Sequence, residues 1–231
     1  EDFSDEVNMY TGGTSASITM YPQIHTGDYK AYFMVGGKAL YENIPKMFEL
    51  LLEPIMFTKF EDKKRIREIL TQVKVKKEAG FIDSASSYAA TRAISYFDSS
   101  AYFSEMIGGL DRYYFLADLV DHFDQNADDI IDRLKQLCAK VFRKEHLTVQ
   151  WICEKEGIGV LETGTLDFAE KLSTQPVSLS PVKVDVGVFV PKDAVRENPK
   201  SEALTTNGSV QYNAVAGNLK EMGFEYHGSM Q

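Results

Sequence analysis

The sequence predicts an α+β fold: an antiparallel-rich sheet with helices packed on one side. Three observations lead there. A period-two run over residues 14–21, a turn and a second apolar run together read as an antiparallel hairpin. A long stretch with apolar residues at three- and four-residue steps follows, the mark of amphipathic helices. A β-rich run at 146–154 and one more helical segment then precede a Pro- and Ser-rich break at 173–185.

Taken in order, residues 2–9 read as the end of a helix. Thr14, Ala16, Ile18 and Met20 then alternate with Ser15, Ser17, Thr19 and Tyr21, the pattern of a half-buried strand. "PQIHTGD" (22–28) is turn-rich. "YKAYFMVGGKAL" (29–40) is the returning strand, ended or bulged by Gly36 and Gly37. Ile44, Met47, Phe48, Leu51, Leu52 and Ile55 make one helical stripe. "TKFE" (58–61) has the form of a capping box, Thr58 accepting from a new helix and Glu61 reaching back. That helix carries Ile66, Ile69, Leu70 and Val73 inward. Its basic outer face, "DKKR" and "KVKK", is interleaved with Asp62, Glu68 and Glu78 and reads as solvated.

Residues 82–123 read as further helices broken near Asp98 and at Gly108-Gly109. Their aromatics (Tyr88, Tyr96, Phe97, Tyr102, Phe103, Tyr113, Tyr114, Phe115 and Phe123) read as core. "NADDIIDRLKQLCAKVFR" (126–143) is an amphipathic helix with Asp128 and Asp129 at its positive end. "HLTVQWICE" (146–154) reads as a strand and 160–173 as a helix. Past the break, "VGVFV" (186–190) and "GSVQYNAVA" (208–216) are strand-like. A tail of roughly 45 residues cannot easily close a core alone. The expected organisation is therefore an α+β domain over 1–175, a linker over 176–185, and the opening strands of a further, truncated domain over 186–231.

The 231 residues suffice for a sizeable core without a staple. A formal charge of -9 disfavours nucleic acid and anionic membrane as partners, both of which reward basic patches. No apolar run reaches the ~20 residues of a spanning helix, and no signal-peptide pattern opens the chain. Because the chain begins with Glu1, it is expected to be a processed or excised piece. Cys138 and Cys153 both sit in apolar contexts and read as small buried hydrophobes.

The residues alone yield no catalytic and no metal-binding group. Of His25, His122, His146 and His227, no two lie within five positions, so no helical zinc motif exists. Gly12-Gly13 feeds a strand, whereas a phosphate loop must feed a helix N-terminus. "GGTSAS" lacks the closing glycine and the helix of a nucleophile elbow, so Ser15 reads as part of a polar strand face. Asp128 and Asp129 are adjacent and point to different helix faces, and capping accounts for them.

A longer pattern carries more. "TGGTSASITMY", "YFMVGGKALYENIPKMFELLLEPIMFTKFEDKKRIREIL", "SSYAATRAISYF" and "GGLDRYYFLADLVDHFD" occur in order, followed by "VQYNAVAGN" and "GFEYHGS". Together they resemble the pitrilysin or insulinase-type zinc metallopeptidases, in particular the presequence-protease-like subfamily with its associated central region. The resemblance implies a domain like those of pitrilysin and the mitochondrial processing peptidases. It further implies four such domains in two halves that close around a peptide. Zinc sits in the first domain on an inverted HxxEH helix, where it activates water with Glu as base. This chain would span the third domain and the start of the fourth, with no cofactor of its own.

On that resemblance, the chain belongs to a zinc metalloendopeptidase that degrades unfolded peptides in an enclosed chamber. It would form chamber wall and be inactive alone. Its partners would be the N-terminal catalytic half of the same polypeptide and the peptide substrate, with no nucleic acid and no membrane. Family residues late in the last domain, an Arg and a Tyr, have no matching segment here and are not carried over. The strand face of Ser15, Ser17 and Thr19 is expected to line the chamber. The rival expectation is a zinc-less pitrilysin-like scaffold or assembly subunit. A bacterial cytoplasm or an organelle matrix would suit the resemblance.

Overall fold

The computed structural model describes residues 3–23, 28–173, 188–190, 195–197, 201–219 and 221–225. The expected linker at 176–185, and His25 and His227, lie outside them. The described residues are helix-rich with a small sheet whose β1–β2 pair is antiparallel, compatible with α+β. In chain order they form α1 (Phe3–Tyr10), β1 (Thr14–Pro22), β2 (Tyr29–Gly37), α2 (Ile44–Phe57), α3 (Lys63–Asp83) and α4 (Ala85–Ile94). There follow α5 (Ser99–Gly108), α6 (Leu110–Asp121), α7 (Phe123–Val141), α8 (Ile158–Ser173) and β3 (Val188–Val190). The sheet runs β1-β2-β3. Among the described residues, no helix is long and apolar enough to cross a membrane.

Two compact units divide the chain. The first comprises Glu1–Thr19, Ala31–Asp62 and Ala127–Val188. Its centre is α2, which packs on α8 and on α1. Ile44, Met47, Leu50 and Leu52 of α2 are buried, as are Leu161 and Leu172 of α8. Lys46 holds α1 through Glu6 (2.8 Å) and lies 5.8 Å over the Tyr10 ring. On the other side Phe48 meets Phe168 at 5.9 Å between ring centroids.

Gly164 is what lets α8 come this close, because a Cβ there would run into the Phe48 ring. Gly164→Ala gains about 1 kcal/mol of helix propensity but overpacks a fixed aromatic contact at about 1–3 kcal/mol. The expected net result is a loss of about 1 kcal/mol in urea unfolding. A gain would mean that the ring yields freely.

The second unit comprises Met20–Lys30, Lys63–Asn126 and Phe189–Gln231. The helix breaks expected near Asp98 and Gly108-Gly109 fall at those positions. Asp98 caps α5, its carboxylate accepting from the Ala101 amide at 2.8 Å. Gly109 ends α5 and serves as the N-cap position of α6. Lys77 of α3 donates to the Gly108 carbonyl and to Tyr88 Oη (2.7 Å), its ammonium 4.5 Å from the Tyr88 ring centroid. Phe81 meets Tyr88 and Tyr113 edge-on at 4.8 and 5.4 Å. Tyr113 Oη donates to Glu78, and that bond with partial burial holds its phenol above the usual range.

Several expectations are corrected. Residues 147–154 form no strand and 148–154 are exposed, and 208–216 form none either. A strand needs a hydrogen-bonded neighbour, and β-propensity alone measures only suitability for a pleated surface. Thr58 starts no helix: it ends α2, donating from its hydroxyl to the Pro54 carbonyl, while α3 begins at Lys63. Glu61 pairs with Lys135 at 2.9 Å instead. The helix named for Asp128 and Asp129 begins earlier, at Phe123. Asp124 therefore occupies the first turn, and Asp129 pairs with Arg133 at 2.8 Å. Ile69, Tyr114, Phe115 and Cys153 are exposed, not core. Cys138 is half-buried, and desolvation pushes its thiol up.

Candidate functional site

The hairpin is built by hydrogen bonds at both ends. The Gly12 amide donates to the Lys38 carbonyl (2.7 Å), and the Lys38 amide donates to Gly13 (3.3 Å). At the turn the Gln23 amide donates to the Asp28 carbonyl at 2.7 Å. Gly13 adopts φ 113°, the left-handed region that only glycine enters without strain, and so admits the chain from α1 into β1. The register puts Gly13 opposite Lys38. Ser15 therefore faces Gly36, Ser17 faces Met34 and Thr19 faces Tyr32 across the two strands. A Cβ at Gly36 would sit 3.5 Å from Ser15 Oγ, an ordinary contact consistent with that pairing.

The three hydroxyls expected on one face are thus brought together on one face, by alternation along an extended strand. Ser15 and Ser17 are exposed and Thr19 is half-buried. The opposite face carries Ala16 and Ile18 beside Val35 and Phe33. Phe33 touches Phe142 edge-on at 5.6 Å. Even so, Ile18 remains 46% and Phe33 49% exposed, so β1 is not the half-buried strand that its pattern suggests. β1 is also an edge strand of the sheet. Its chemistry is limited to hydrogen bonding, through a row of hydroxyls and the main chain along the strand.

Among the described residues, no group of three or more His, Cys, Asp or Glu could hold a metal ion. His122 Nδ1 lies 3.0 Å from the Asp118 carboxylate and His146 Nδ1 lies 3.0 Å from the Lys140 carbonyl, both local contacts.

A dense charge cluster among the described residues has no counterpart in the sequence pattern. Arg92 of α4 is 14% exposed and donates to Glu105 of α5 (2.9 Å), Asp111 of α6 (3.0 Å) and Glu202 (2.7 Å). Glu105 is 1% exposed and also accepts from the Leu110 amide at 2.9 Å. No local pattern signals it, because the partners stand up to 110 positions apart.

The family model for the region associated with peptidase family M16, subfamily C, matches residues 1–119, from α1 into α6. The chain belongs to this peptidase-associated family. As a member it is similar along nearly its whole length to larger proteins. "Protein HypA" of Clostridium perfringens is 26% identical over 228 residues, 98% of this chain and 22% of that protein. "Presequence protease 1, chloroplastic/mitochondrial" of Arabidopsis thaliana is 22% identical over 228 residues, 97% of this chain and 20% of the relative. "Presequence protease, mitochondrial" of Drosophila melanogaster is 24% identical over 147 residues, 63% of this chain and 14% of the relative. The chain therefore spans about a fifth of the length of the first two relatives. The matched family region includes the hairpin with Ser15, Ser17 and Thr19 and the helices that bear Arg92, Glu105 and Asp111.

Proposed function

We propose that this peptidase-associated chain is a non-catalytic part of a zinc metalloendopeptidase that degrades unfolded peptides in an enclosed chamber. In this reading the chain forms chamber wall and is inactive alone. The observation that carries the reading is the collinear likeness to a presequence protease over 97% of this chain but only 20% of that enzyme. A pitrilysin-like fold over 1–175, a linker over 176–185 and the opening of a further domain over 186–231 belong to the same reading. So do a partnership with the N-terminal catalytic half of the same polypeptide and residence in an organelle matrix or bacterial cytoplasm.

The test is direct. The purified 231-residue chain, given an unstructured peptide and zinc, should release no fragments. Cleavage that a chelator abolishes would overturn the reading. Reading the longer reading frame for HxxEH separates it from a zinc-less scaffold: an intact motif supports the peptidase, a degraded one the scaffold.

The hydroxyl face of β1 is the proposed chamber lining. Ser15→Phe, Ser17→Phe and Thr19→Phe in the longer enzyme are expected to change which peptide lengths are cut, since each adds bulk to the hydroxyl face, at two exposed positions and one half-buried one. Identical kinetics across that series, on short and long peptides alike, would remove the face from the site.

A further inference from the structure

Arg92, Asp111, Arg196 and Glu202 form an alternating chain of charges within the second unit. Arg92 turns two edges outward. Its Nη1 serves Glu105 (2.9 Å) and Asp111 (3.0 Å) on the helices. Its Nε and Nη2 form a fork on both oxygens of Glu202, at 2.7 and 2.9 Å. Arg196 in turn donates to the second oxygen of Asp111 and to Ser95 Oγ (3.4 Å). Its guanidinium lies 5.5 and 5.8 Å from the Tyr102 and Tyr96 ring centroids, and its amide donates to the Ser95 carbonyl at 2.9 Å. Bidentate pairing and ring stacking are what the planar guanidinium does best. Residues 195–197 and 201–206 have no helix or strand of their own to hold them.

We propose that Arg196 and Glu202 are a two-pronged, releasable clasp that fastens residues 195–197 and 201–206 to α4, α5 and α6. The reason is an asymmetry in what each side loses. With both prongs withdrawn, Arg92 keeps Glu105 and Asp111, Asp111 keeps Arg92, and Glu105 keeps the Leu110 amide. No buried charge on the helices is left alone, so release carries none of the penalty of orphaning an ion. The prongs themselves, one cation and one anion, return to water. A structural staple would behave differently, since its removal would strand its buried partner. The clasp is therefore a local opening device, independent of helix folding.

Acid should open it. The groups facing Glu202 are Arg92, Arg196 and Tyr96, with Glu105 and Asp111 behind Arg92. The hydrogen bond from Arg92, ahead of the opposing effect of burial, holds the Glu202 carboxyl below its usual range. A depressed carboxyl contributes its stabilisation above the free-state pKa, about 4.3, and loses it as pH falls through the lowered value.

The experiment is hydrogen exchange on the whole 231-residue chain. Glu202→Gln and Arg196→Gln should each speed exchange around Arg196 by about tenfold or more, with the core amides of α4–α6 unchanged. In the unmodified chain, high salt should move exchange the same way, which requires no variant to fold. Acidification should open the unmodified chain more than Glu202→Gln. Unchanged exchange at Arg196, or exchange that rises in step with that of the helices, would overturn the clasp and leave a staple.

Discussion

Gly109→Ala is expected to cost about 3–5 kcal/mol of folding stability, as breaking a buried ion pair does. A Cβ at this position would overlap the Glu105 carboxylate. That carboxylate is 1% exposed, and its Oε1 accepts from both Arg92 and the Leu110 amide at 2.9 Å, so pushing it aside breaks both bonds. Gly109 is extended, at φ -97° and ψ -151°, and so does not use the left-handed region that favours glycine. The damage should thus come from the contact alone. Glu105→Ala by itself should cost about 1–3 kcal/mol, because the Leu110 amide loses its acceptor while Arg92 retains Asp111 and Glu202. In that background Gly109→Ala should add less than about 1 kcal/mol, giving a large coupling in a double-mutant cycle. Urea midpoints of the four proteins decide it. Equal cost in both backgrounds would place the damage in the backbone.

Local rules served where a local cause was sufficient. The breaks at Asp98 and Gly108-Gly109 were legible because a capping carboxylate and a glycine pair act within a few residues. The hairpin was legible from alternation and a turn, and so was the grouping of Ser15, Ser17 and Thr19 on one face. What covers that face was not legible, because sidedness fixes direction and says nothing about neighbours. The run at 146–154 misled for the same reason: Val149, Trp151 and Ile152 suit a sheet, but pairing depends on another strand. Ile152 is instead 96% exposed. Thr58 misled because one hydroxyl can accept from a helix that starts or donate to a helix that ends, and the spacing to Glu61 cannot distinguish them. The Arg92 cluster was invisible because ion pairs between α4, α5, α6 and residue 202 exist only after the chain has folded.

Leu50→Ala should be the costliest single truncation in α2, about 2–5 kcal/mol, and clearly costlier than Ile55→Ala. The apolar stripe in the sequence includes Ile55 and leaves Leu50 out. Yet Leu50 is 1% exposed while Ile55 is only half-buried. The stripe assumes that a helix buries one side against one partner. α2 has two: α8 receives Phe48 through Phe168 and Gly164, and α1 is reached by Lys46, one turn before Leu50 on the same side. Two partners widen the buried arc until it takes in Leu50. The backbone adds to its weight. Pro54, four residues on and inside the helix, has no amide to donate to the Leu50 carbonyl, so this turn of α2 lacks one of its own hydrogen bonds. Side-chain packing must hold the turn that the missing bond does not, and a truncation at Leu50 removes that packing at the weakest point of the helix. Urea unfolding of the two variants should rank them in that order, and the reverse ranking would show that α2 is held by its α8 side alone.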